Sequence, residues 1–174
     1  MSAAMSRLWT YRLLFIVLCL IVISIKLLPL NVGESGIPGP DILLALTLAW
    51  LLRQPAVVPI GTIVFIFLLA DFLFQRPPGL WTLLVIITSE SLRTRHQTMT
   101  EFPFLLEWSA FAGAVFAMLI LNRMVLWVLM VDQTSLGLTL THGIVTVMVY
   151  PLVVVVSKFL FGLRKLSPTE PEAI

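Results

Sequence analysis

Proline, glycine and charge cut this chain into six apolar segments, 13–30, 42–52, 57–75, 79–92, 103–131 and 137–161, and that pattern decides which solvent it can fold in. A bilayer core is about 30 Å thick and a helix rises about 1.5 Å per residue, so apolar runs of roughly 17–25 residues read as membrane spans. The segments 42–52 and 79–92 are too short to cross as straight helices without bilayer thinning or polar extension, whereas 103–131 is longer than needed and should tilt. Of the 174 residues 59% are hydrophobic and only 11% charged. With a mean hydropathy of +1.05, no soluble fold of this size could hide so much apolar surface. The expected fold class is an all-α polytopic membrane protein of about six transmembrane helices, two of them short. Residues 1–12 form a cytoplasmic N-terminus, 13–161 one membrane domain and 162–174 a flexible cytoplasmic tail.

Arg7 and Arg12 ahead of the run 13–25 imitate a secretory signal. The apolar stretch continues past Lys26 to Leu30, however, and no small-x-small cleavage site follows, so it reads as a retained first span. The next link, 31–41, is rich in Gly and Pro and resists helix until Asp41, whose carboxylate can N-cap the second segment. Arg53, Gln54, Pro55 and Ala56 form a very short link, which predicts that the second and third segments pack as an antiparallel hairpin. Arg76, Pro77, Pro78 and Gly79 predict the same for the third and fourth. Residues 90–101, with Arg93, Arg95 and His96, make the one clearly hydrophilic inner loop.

Basic residues favour the cytoplasmic side of short loops. Six crossings with the N-terminus inside put Arg7, Arg12, Arg53, Arg93, Arg95, Lys158, Arg164 and Lys165 on that side. Only Lys26, Arg76 and Arg123 then lie toward the outside. Dropping one short segment would separate the terminal basic clusters, so the asymmetry argues that both short segments cross and that both termini are cytoplasmic.

An ionisable group at a helix centre costs about 2.5–3.5 kcal/mol on insertion scales, which singles out Asp71, Glu107, Arg123 and His142. Asp71, near the outer end of the third segment, reads either as an interfacial carboxylate that starts the next helix or as a buried anchor for a basic group. Arg123 can snorkel to the outer interface. The similar depths of the two suggest that Asp71 and Arg123 pair. Glu107 is expected to be partly solvated, and His142 to cap or contact headgroups. The five tryptophans are expected mostly to anchor at the interfaces. Asp41, Arg53, Asp71, Arg76 and Arg123 are therefore the candidate polar anchors for structure or partners.

Several functions are disfavoured. A net charge of +2 without a Lys/Arg-rich block gives no purchase for nucleic acid. Cys19 stands alone, which excludes an internal disulfide and a cysteine-based metal cluster. No Gly-x-Ser-x-Gly, His-Glu-x-x-His or phosphate-cradling loop occurs, so no catalytic residue, metal or cofactor is expected.

Three stretches together resemble the MreD family of rod-shape-determining proteins along nearly the whole chain. They are Pro40-Asp41-Ile42-Leu43-Leu44-Ala45-Leu46 with Trp50 and Arg53, then Leu69-Ala70-Asp71-Phe72-Leu73 with Pro78-Gly79-Leu80, and finally Tyr150-Pro151 with Arg164-Lys165. Pro77 before Pro78 departs from the usual pattern. The resemblance implies a six-helix domain like the substrate-binding subunits of vitamin importers. It also implies a non-enzymatic role in the inner-membrane elongation complex, directing lateral peptidoglycan synthesis and so rod shape. Its implied partners are the bitopic protein MreC, the actin-like MreB, the glycosyltransferase RodA and a class B penicillin-binding protein, all at the lipid bilayer. The alternative is a substrate-binding membrane subunit of a small-molecule importer, which needs an enclosed pocket with converging polar groups.

Overall fold

The computed structural model describes residues 2–28, 39–94 and 104–161. Six helices occupy them: α1 (Ser2–Leu27), α2 (Ile42–Leu51), α3 (Ile60–Leu73), α4 (Leu80–Thr94), α5 (Phe104–Val128) and α6 (Leu136–Phe161). The protein is an all-helical polytopic membrane protein in which α1, α5 and α6 are long and apolar enough to span, and α2 and α3 are shorter apolar helices. Residues 2–12, expected as a separate N-terminal segment, belong to α1. The expected tail and most of the inner loop, including Arg95 and His96, lie outside the described residues.

The organising element is the shortest one. With 10 residues α2 is about 15 Å long, half the thickness of a bilayer core. Every residue from Leu43 to Leu51 is buried. A helix apolar on all sides has no solvent or lipid face to offer, and its stable position is the middle of a bundle. It packs most extensively on α6, and also on α1 and α4, while α3 packs on α4 and α1, and α5 on α6 and α4.

The expected α2–α3 hairpin is therefore incorrect: α1 packs on both helices, and they barely touch each other. The link between them is partly drawn into the bundle: Leu52, Arg53, Val57 and Val58 are buried, Gln54 and Pro55 are half-buried, and Ala56 is exposed. The α3–α4 hairpin does form. Helices α3 and α5 stop with the same device, in which Gln75 and Met130 take φ of 53°. The next amide then reaches back to the last turn, Arg76 N to Asp71 O and Val131 N to Leu126 O, each at 3.0 Å.

Helix α6 contains Pro151, which has no N–H and so leaves the carbonyl of Val147 without its helical donor. The indole of Trp108 on α5 donates to that oxygen at 2.9 Å. A helix breaker in an apolar setting is tolerated because a neighbouring helix satisfies the freed group. Close to this contact, α5 and α6 approach at Gly143, where an added Cβ would stand 2.8 Å from Leu119 Cδ1 and 3.1 Å from Phe116 Cε1. Gly113 on α5 faces open space. Gly143→Leu is expected to destabilise the protein by about 1–3 kcal/mol through overpacking, while Gly113→Leu is near neutral. Reversible unfolding in mixed micelles checks both.

Candidate functional site

At the C-terminal end of α2, Arg53 is buried, and its Nη1 donates to Ala49 O at 3.0 Å, satisfying a carbonyl of the last turn. The same nitrogen stands 3.0 Å from Oε1 of Glu107, a carboxylate only 2% exposed in the first turn of α5. Tyr150 on α6 donates its hydroxyl to that oxygen at 2.7 Å. Phe111 stacks on the Tyr150 ring with centroids 4.0 Å apart. Cation and anion each also suit the helix terminus they occupy, where the backbone dipoles favour positive charge at a C-terminus and negative charge at an N-terminus. One triad thus fastens α2, α5 and α6 at a single point. The expected partial solvation of Glu107 is overturned, because Arg53 and Tyr150 enclose it.

The buried link after α2 exposes a second need at this end, which we call the basic end. Its carbonyls have no helical donors, and in an apolar medium each would be costly. Arg12 on α1 donates to Ala56 O from Nε at 3.2 Å and Nη2 at 3.0 Å. Arg93 on α4 donates to Val58 O at 2.7 Å and to Pro55 O at 3.5 Å. The residues read from sequence as topological markers thus also hold the link between α2 and α3.

The opposite, or far, end is built on two aspartates. Asp41 caps α2 by accepting from Leu44 N at 3.3 Å, pairs with Lys26 of α1 at 3.6 Å, and donates its backbone N–H to Thr146 Oγ1 of α6 at 3.0 Å. His142 Nδ1 lies 2.8 Å from Gly39 O, bracing the same entry. Asp71, 1% exposed, accepts on Oδ2 from Thr82 Oγ1 at 2.7 Å, Gly79 N at 3.1 Å and Thr82 N at 3.2 Å. Those amides are the orphan donors that open α4, and Gly79, at φ +87°, supplies the turn that presents them.

Arg123 is engaged elsewhere. It donates to Thr134 O at 3.0 Å and Thr139 Oγ1 at 3.2 Å, closing the α5–α6 turn. The expected Asp71–Arg123 pair does not form: Arg123 and Asp71 Oδ2 are each taken up by the hairpin turn next to them, while Asp71 Oδ1 has no hydrogen-bond partner among the described residues. Arg76 lies over the rings of Phe74 and Trp81 at 5.6 and 5.4 Å. Of the five tryptophans, Trp50 is fully buried and donates to Ser157 Oγ at 3.2 Å, and Trp81 is also buried, so these two belong to the core, while Trp9 and Trp127 are exposed.

Among the described residues no group of three or more His, Cys, Asp or Glu could hold a metal ion. The charges that converge do so on backbone atoms and on each other, an arrangement that joins helices. Comparison with family models, with curated proteins and with solved structures finds no match. The class that fold and site define is a small helical membrane protein whose buried polar groups fasten a short central helix.

Removing one member of a buried ion pair leaves the other charge unpaired and costs about 3–5 kcal/mol, whereas replacing both with apolar groups is often near neutral. Glu107→Leu is therefore expected to be strongly destabilising, and Arg53→Met combined with Glu107→Leu much less so. Melting temperatures of the purified variants check this order.

Proposed function

We propose that this protein is a MreD-type scaffold of the cell-elongation complex in the inner membrane, acting through lateral helix contacts and without catalysis. The observation that carries the reading is the use made of its ionisable groups. Arg12, Asp41, Arg53, Asp71, Arg93, Glu107 and Arg123 are all engaged in holding helices and turns. What the bundle offers to other molecules is apolar helix surface, for example Phe65, Leu68 and Phe72 on α3 and Leu83 and Ile87 on α4. Resemblance in the three motif stretches supplies the identity of the partner, a MreC-like bitopic protein, with MreB, RodA and a class B penicillin-binding protein beyond it. The buried link beside Arg53 moves the proposed contact toward the α3–α4 hairpin, whose turn 76–79 fixes two helices in a rigid pair.

The same reading places both termini in the cytoplasm, since Arg12, Arg53 and Arg93 gather at one end of the bundle. Deletion of the gene in a rod-shaped host is expected to give round cells with unaltered uptake of small nutrients. A deletion strain that stays rod-shaped during lateral growth and instead requires a vitamin supplement would replace the scaffold by the importer subunit.

A further inference from the structure

The far end contains a cavity of about 540 Å³ between α4, α5 and α6. Much of its wall is apolar, with Leu119 and Leu126 on α5 and Leu138 on α6. Leu138 is 38% exposed, so the cavity communicates with the surface that lipid covers. Around this apolar wall stand Arg76, Trp81, Asn122 and His142.

Arg76 and Trp81 are donors left over by the fold. The Arg76 guanidinium lies over Phe74 and Trp81 but makes no hydrogen bond or ion pair among the described residues. The Trp81 indole Nε1 is buried and has no hydrogen-bond partner there. An unpaired buried donor costs about 1–3 kcal/mol, and an arginine in apolar surroundings more, so both are groups that a ligand would satisfy. Asp71, the nearest acid along the chain, does not line the cavity, and its Oδ2 is held by the α4 amides and Thr82.

A fixed cation, a neutral N–H donor beside it and an apolar wall open to the bilayer match one kind of ligand chemistry. We propose that this cavity binds a phosphate-bearing anion, with Arg76 pairing to the phosphate oxygens and Trp81 Nε1 donating to one of them. The apolar wall then accommodates the upper acyl chain of an anionic phospholipid. The site is independent of the scaffold reading, which needs no ligand.

Native mass spectrometry of the purified full chain in nonionic detergent, with phosphatidylglycerol, phosphatidylcholine or inorganic phosphate added, tests the proposal. Phosphatidylglycerol is expected to bind, and to bind about tenfold more weakly to both Arg76→Gln and Trp81→Phe. Lys158→Gln, which alters an exposed cation that does not line the cavity, should bind as the unaltered protein does. Inorganic phosphate that displaces phosphatidylglycerol in an Arg76-dependent way assigns the site to a soluble phosphate, and failure to displace it assigns the site to the lipid. Phosphatidylcholine binding as tightly as phosphatidylglycerol, phosphatidylglycerol binding to Arg76→Gln and Trp81→Phe as tight as to the unaltered protein, or no binding of either phosphate source overturns the proposal.

Discussion

A bilayer core offers no water, so each polar group drawn below the headgroups must find its partner within the chain, and here that demand falls most heavily on the short helix α2. Its length brings Asp41 and Arg53 closer together than the bilayer core is thick. At one end Lys26, Thr146 and the first amides of α2 satisfy Asp41. At the other, Glu107 pairs with Arg53, and Tyr150 completes the carboxylate's shell. Because the partners come from α1, α5 and α6, the helix that cannot reach across the membrane by itself fixes the positions of the helices that can.

The same rule accounts for features that look unrelated. Pro151 is accommodated because Trp108 fills the vacancy at Val147 O. The buried link after α2 is accommodated because Arg12 and Arg93 supply its donors. The α4 N-terminus is accommodated because Asp71 reaches its amides. In each case a side chain from one helix satisfies backbone that another element has exposed, so packing and polar satisfaction reinforce each other. Among the described residues the pattern is incomplete at Trp81 Nε1 and Arg76, which line the far cavity, and at Asp71 Oδ1, Gln54 Oε1 and Ser89 Oγ.

Much of the architecture was legible in the sequence. Apolar runs cut by Pro, Gly and charge gave the six helices, and Asp41 before an apolar run gave the α2 cap. The Arg53–Glu107 pair was also within reach, because an up-and-down topology brings the end of α2 and the start of α5 to one end. Treating each charge by its own depth concealed it. Other features depend on which helices are neighbours. A short link suggested that α2 and α3 pair, but the burial of Leu52, Val57 and Val58 in that link depends on α1 and α4 delivering arginines to it. Trp50 and Trp127 are the same residue near segment ends, and only the crowding around α2 separates a core indole from a surface one. No local pattern shows that Trp108 answers Pro151, since the two are far apart in sequence.

The account stands on α2 being enclosed by protein, not lipid, and tryptophan quenching reads this directly. Variants retaining one tryptophan, with the other four changed to Phe, would be reconstituted in bilayers containing brominated phosphatidylcholine, which quenches indoles that touch acyl chains. Trp127, 76% exposed, is expected to be strongly quenched, and Trp50, fully buried on α2, to keep its emission at every bromine depth. Quenching of Trp50 as strong as that of Trp127 would put α2 against lipid and contradict the central place given to it.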